Sequence, residues 1–89
     1  MNQEQVTITN RLGLHARAAA KLVHTANNFE SEIFIGTEHE EVNAKSILGL
    51  LTLAATKGTP LTVRAVGADE NEAVEALVAL FGAKFGESE

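Results

Sequence analysis

Val6-Thr7-Ile8-Thr9-Asn10-Arg11-Leu12-Gly13-Leu14-His15-Ala16 changes its hydrophobic period part-way along. Val6-Thr7-Ile8-Thr9 alternates apolar and polar residues, the pattern of a half-buried strand. Asn10 to Leu14 breaks the alternation, and Gly13 can supply a positive φ for a tight turn. From about Ala16, Ala19, Leu22, Val23 and Ala26 recur at i, i+3, i+4 and i+7, one buried helix stripe ending near Asn27-Asn28. The same alternation of period continues downstream. Ile33-Phe34-Ile35 and Glu41-Val42-Asn43-Ala44 read as strands of a hairpin across Gly36-Thr37-Glu38-His39. Ser46 precedes a second helix with Ile47, Leu50, Leu51 and Ala54 on one stripe, Gly58 where a C-terminal cap belongs, and Pro60 beyond it. Leu61 to Ala65 is a further strand. Asp69-Glu70-Asn71-Glu72 has the form of a capping box before a last helix, which carries Val74, Leu77, Val78 and Phe81 inward and runs to about Phe85-Gly86. The order is β-α-β-β-α-β-α. In so short a chain it predicts an α+β sandwich with helices on one face of a largely antiparallel sheet.

Composition narrows the function classes. The 89 residues suit one domain, taken as 1–89. With 45% hydrophobic residues the chain is globular rather than disordered. The absence of cysteine excludes disulfides, a thiol nucleophile and thiolate metal sites. No apolar run approaches the ~20 residues of a membrane span, so no membrane insertion is expected, and a cytoplasmic location is. A net charge of -5 argues against nucleic acid, as does the lack of an aromatic platform.

That average conceals a division. No acid occurs between Gln5 and Phe29 or between Val42 and Ala68, and these gaps hold six of the seven basic residues, so a locally basic region is expected around the first two helices. Arg17, Lys21 and His24 fall on one face of the first helix. Cations at i, i+4 repel, and cations in the first half of a helix oppose its dipole. Local rule-breaking of this kind is expected at functional sites, and a bound anion would relieve it. His15 stands directly before that helix, beside the unpaired N–H groups of its first turn, a ready anion site. The positive helix end and Arg17 disfavour imidazolium, so a neutral, nucleophilic ring is expected. Two readings fit these residues equally: an ordinary helix-entry histidine, or an acceptor whose phosphoryl group would meet N–H donors and a guanidinium. His24 reads as solvent-facing and His39 as a turn residue. His15 and His24 lie about 13 Å apart along a helix axis, so no shared metal is expected. No cofactor is expected either.

Ser46 is placed to cap the second helix and also to carry a phosphate, which the helix dipole would favour. Ile47, Leu48, Leu50, Leu51, Leu53, Ala54 and Ala55 surround nearly the whole of that helix. A two-layer domain cannot cover its outer side, so part of it, Leu48 first, should form an exposed patch for another protein.

Gly13-Leu14-His15-Ala16-Arg17 with its alanine-rich helix resembles the active-site segment of the HPr family, the histidine-containing phosphocarriers. Asn43-Ala44-Lys45-Ser46-Ile47-Leu48-Gly49-Leu50-Leu51 resembles that family's segment around a regulatory serine. Lys57-Gly58 and the closing helix also fit, so the resemblance covers essentially the full chain. It implies an open-faced β-sandwich, a four-stranded antiparallel sheet backed by three helices, and a role in the phosphoenolpyruvate-dependent phosphotransferase system. By match, His15 accepts the phosphoryl group from enzyme I through Nδ1, Arg17 lies beside the phosphate, and an enzyme IIA partner receives it. The resemblance further implies Ser46 as the target of an ATP-dependent HPr kinase/phosphorylase. Docking residues are expected at Lys21, Ile47, Leu48 and Leu51, and the chain is expected to be a monomer. Such a protein is a stoichiometric carrier rather than a self-contained enzyme. Ala18 departs from the proline that many relatives have after the arginine; a modest change in preorganisation rather than lost function is expected. The tail from Val78 to Phe85 looks closer to nitrogen-related relatives, and the Ser46 segment to the sugar-uptake branch. The competing class is a ferredoxin-like module that holds an anionic metabolite on the basic face without covalent phosphate.

Overall fold

In the computed structural model, which describes all 89 residues, seven main elements follow the order read above. They are β1 (Asn2–Thr7), α1 (Ala16–Ala26), β2 (Glu32–Gly36), β3 (Glu41–Asn43), α2 (Ile47–Thr52), β4 (Pro60–Val66) and α3 (Glu70–Gly82), then a short 3-10 turn at Lys84–Gly86. The strands form one antiparallel sheet in the order β1-β4-β2-β3. Because successive side chains alternate faces, Ile33, Ile35, Leu61, Val63 and Ala65 all turn inward and are buried. Leu22 and Ala26 of α1 and Val74, Leu77 and Phe81 of α3 complete the core against them. The other sheet face is open. There Arg64 lies 4.3 Å above the Phe34 ring and grips Glu41 through two hydrogen bonds of 2.8 and 2.7 Å, covering the aromatic.

Four sequence expectations need correction. The first strand begins and ends earlier than its alternation suggested, at Asn2–Thr7; its polar start survives because β1 is an edge strand. Helix α2 ends at Thr52, six residues before Gly58, and Ala54 adopts a left-handed φ of 49°. Its inward residues are Leu50 and Leu53, while Ile47, Leu51 and Ala54 face out. Asp69 does not cap α3 with its side chain. Its carboxylate instead accepts from the Glu30 N–H (2.9 Å), the Ser31 N–H (2.9 Å) and the Ser31 hydroxyl (2.5 Å), tying the start of α3 to the loop before β2. Gly67, at φ +154°, allows this approach: a Cβ there would lie 2.5 Å from Ser31 Oγ. Finally, the six cations that neighbour one another in sequence do not share a surface. Arg64 is on the open sheet face, and Lys45 donates to the Phe29 carbonyl beyond the C-terminal end of α1.

The Asp69 staple makes stability pH-dependent. The Ser31 hydroxyl first, then the backbone N–H of Glu30, hold the Asp69 carboxyl below the usual range. A depressed carboxyl stabilises the fold above its unfolded pKa of about 3.9, and that contribution fades as pH falls through the folded value. Asp69→Asn should therefore lower the melting temperature at neutral pH, with the gap to wild type closing as the medium is acidified below about pH 4. A gap independent of pH would show that the charge is not what the staple uses.

Candidate functional site

His15 occupies the N-cap of α1, with an extended backbone (φ -85°, ψ 179°). The turn that delivers it rests on Gly13, whose φ is +67° and where a Cβ would fall 2.6 Å from the Ala55 carbonyl oxygen. That closeness lets the Leu14 N–H donate to Ala55 (2.9 Å), joining the His15 turn to the segment after α2. Leu14 is buried and His15 is half-buried. The backbone thus sets the ring at the helix start, as the sequence required.

Each ring nitrogen has a partner. Nδ1 accepts a long bond, 3.3 Å, from the Arg17 N–H in the first turn of α1. Nε2 lies 2.5 Å from Oε2 of Glu87, a residue that the sequence reading missed altogether. The other carboxylate oxygen, Oε1, accepts from the Asn10 amide at 3.0 Å. Asn10 is fully buried, also donates to the Gly13 carbonyl (2.8 Å), and leaves its own Oδ1 without a partner. An unsatisfied buried acceptor costs about 1–3 kcal/mol, so Asn10 is a costly way to fill this space unless its donor is needed. The His15 ring first, and the Asn10 amide second, hold the Glu87 carboxyl below its ordinary range. An ionised carboxylate only accepts hydrogen bonds, so this pairing calls for a ring proton at Nε2, while Nδ1 is the nitrogen that faces the Arg17 N–H.

The basic groups near the ring are Arg11, Arg17 and Lys21. With Leu12 and the segment Gly86–Glu89 they line a cavity of about 360 Å³. Arg11 Nε donates to Glu89 (3.1 Å), and Lys21 Nζ to the Phe85 carbonyl (2.5 Å). Arg17 is exposed and makes no ion pair, though its charge contributes to lowering the Glu87 carboxyl. His24 and His39 lie on other parts of the surface, on α1 and in the β2–β3 turn.

Ser46 caps α2 by accepting from the Gly49 N–H at 3.0 Å. Leu48 is 78% exposed, with Ile47 and Leu51 part-exposed and Leu12 half-exposed. The expected apolar patch is therefore present, and α2 packs beside α1.

A histidine at a helix start, held by a turn that only glycine fits and with Nδ1 bound only by one long contact, has a geometry suited to accepting a phosphoryl group. Residues 2–83 match the family model described as PTS HPr component phosphorylation site. The chain belongs to the HPr family. The HPr of Xylella fastidiosa is 51% identical over 98% of each chain. A phosphocarrier named NPr, from Shewanella violacea, is 45% identical over 97% of this chain and 94% of its own. The crystal structure of HPr from Thermoanaerobacter tengcongensis superposes with a TM-score of 0.95 at 44% identity, covering all of both chains. The open-faced α+β sandwich is thus the HPr fold, and the chain is a phosphocarrier component of the phosphotransferase system. Nothing in these likenesses points to the ferredoxin-like anion-binding module. No helix is long and apolar enough to cross a membrane.

Proposed function

We propose that His15 Nδ1 accepts a phosphoryl group from phosphorylated enzyme I and passes it to an enzyme IIA-type partner. The observation that carries this reading is the pairing at the ring: Nε2 is engaged by Glu87, whereas Nδ1 has only a 3.3 Å contact that a phosphate can displace. A phosphate on Nδ1 would meet the N–H groups of the first turn of α1, where the helix dipole favours an anion, and Arg17 stands beside it. Incubation with enzyme I and phosphoenolpyruvate should leave one acid-labile phosphate per chain, with a phosphoramidate signal in the phosphorus NMR spectrum. Reversible binding of an anion with no such signal would support the module reading instead.

Relatives of both the HPr and the NPr kind match closely, so the reading covers sugar uptake and a nitrogen-related relay alike. Partners dock on Lys21 and on the patch of Ile47, Leu48 and Leu51. In this reading the carrier works in the cytoplasm as a single-domain monomer.

Ser46 is the regulatory target of an HPr kinase/phosphorylase in this reading. Phosphoserine adds about two negative charges next to the docking patch without opposing the helix it caps. Ser46→Asp keeps a good capping residue, so stability should change little, while phosphorylation by enzyme I slows roughly tenfold or more. An unchanged rate would separate Ser46 from the docking surface.

A further inference from the structure

The chain does something unusual after α3. Lys84, Phe85 and Gly86 all have left-handed backbones, with φ of 55°, 55° and 78°. Left-handed conformations are unfavourable for side-chain-bearing residues and persist only where surroundings enforce them. Here the enforcement is visible. Phe85 is buried, edge-on to Phe81 with ring centres 5.0 Å apart, and its carbonyl is gripped by Lys21. Beyond it, the Arg11 N–H donates to the Glu89 carbonyl at 2.7 Å and the Arg11 guanidinium to its side chain. Between these two anchors the reversed chain presents Glu87 to the ring, with Asn10 fixing the far oxygen.

We propose that Glu87 is a positioning residue for phosphoryl transfer, holding the ring proton on Nε2 so that Nδ1 is the nucleophile. The proposal rests on the phosphocarrier reading above. As transfer proceeds, the Nδ1 lone pair forms the new bond to phosphorus. The donor's bond to phosphorus breaks, and its electron pair stays with the donor. The Nε2 proton does not move; the ring acquires positive charge, which the Glu87 carboxylate offsets. The same arrangement, a carboxylate behind a histidine that gains charge, orients the imidazole of hydrolytic triads. The Arg17 N–H at Nδ1 marks the side on which the phosphate is received, and Glu87 at Nε2 supports the ring from its other nitrogen. Asn10 keeps the carboxylate aimed, which gives its buried amide a use.

Nitrogen NMR of the labelled, unphosphorylated protein reads the ring proton directly, with no enzyme I present. Wild type should show a protonated Nε2 and a bare Nδ1 in the neutral ring. Glu87→Gln, which can still accept from Nε2, should keep that pattern, and Glu87→Ala should give a mixture of both tautomers. Treatment with phosphoramidate, a small chemical donor, should label Nδ1 alone in wild type and Gln variants and add Nε2 label in Glu87→Ala. The rate of phosphorylation by enzyme I should fall about 10- to 100-fold in Glu87→Ala, as expected for losing a charged hydrogen bond, and less in Glu87→Gln. A merely structural role would lower the melting temperature without changing the tautomer. A wild-type ring protonated on Nδ1, or an unaltered pattern in a folded Glu87→Ala, would overturn the proposal. If wild type shows the Nε2 proton yet takes no phosphate on His15 from enzyme I, the acceptor reading fails, not the contact.

Discussion

His15→Ala is expected to abolish acid-labile phosphate uptake from enzyme I and phosphoenolpyruvate, while His24→Ala and His39→Ala each retain one phosphate per chain. The contrast follows from placement. His24 lies in the last turn of α1 and His39 in an exposed turn, and neither has a helix N-terminus to receive a dianion. With no cysteine in the chain, no other side chain here has both the nucleophilicity and the setting to replace His15. Loss of folding is an inadequate explanation for the result. The ring contributes one long capping bond, 3.3 Å to the Arg17 N–H, and removing an N-cap typically costs about 0.5–2 kcal/mol. The variant should melt cooperatively and a few degrees lower. A second readout belongs to the same experiment. Without the ring N–H, the Glu87 carboxyl should titrate higher than in wild type, because its principal depressing contact is gone. Phosphate retained in His15→Ala would remove this residue from the reaction.

How much of this was legible beforehand depends on range along the chain. The element order and the His15 turn are local matters: the period changes at Gly13, and that glycine's positive φ is needed where sequence put it. Helix α2 shows the limit of periodicity. A six-residue helix that is apolar all round offers two candidate stripes, and only its packing beside α1 and β3 selects Leu50 as the inward residue. The Asp69 segment has a capping-box pattern, yet the same carboxylate makes three bonds to a loop thirty-eight and thirty-nine positions away. Tertiary partners outcompeted the local one. Glu87 was missed for the same reason, because the reversal at Lys84–Gly86 is imposed by burial of Phe85 rather than by a turn sequence. One signal could have raised it. The charge division left Arg11, Arg17 and Lys21 without nearby acids in sequence, so acids from a distant segment were needed, and the tail holds two of them, Glu87 and Glu89.

Phe81→Ala is expected to be the most destabilising single change considered, and it joins the core to the site. Phe81 is 2% exposed, closes the core between α3 and the sheet, and meets Phe85 edge-on with planes at 67°. Truncating a buried phenylalanine typically costs about 3–5 kcal/mol, because burial is lost and a cavity remains. Domains of this size have about 5–15 kcal/mol in all, and 1 kcal/mol shifts their melting point by about 4–8 °C. A fall of at least about 12 °C should follow in a thermal melt. The more informative consequence is local. Phe85 keeps its left-handed backbone only while its ring is held, so an emptied Phe81 site should release the tail before the domain unfolds. Hydrogen exchange at the Gly86 and Glu87 amides, bonded to Ala83 and Lys84 at 2.9 and 3.0 Å, should then accelerate more than exchange within the sheet. The His15 ring should meanwhile lose its fixed tautomer, although residue 81 does not touch it. If Phe81→Ala lowers the melting point but leaves both the tail amides and the ring unchanged, the reversal is held by Lys21 and Arg11 alone, and the aromatic pair belongs to the core only.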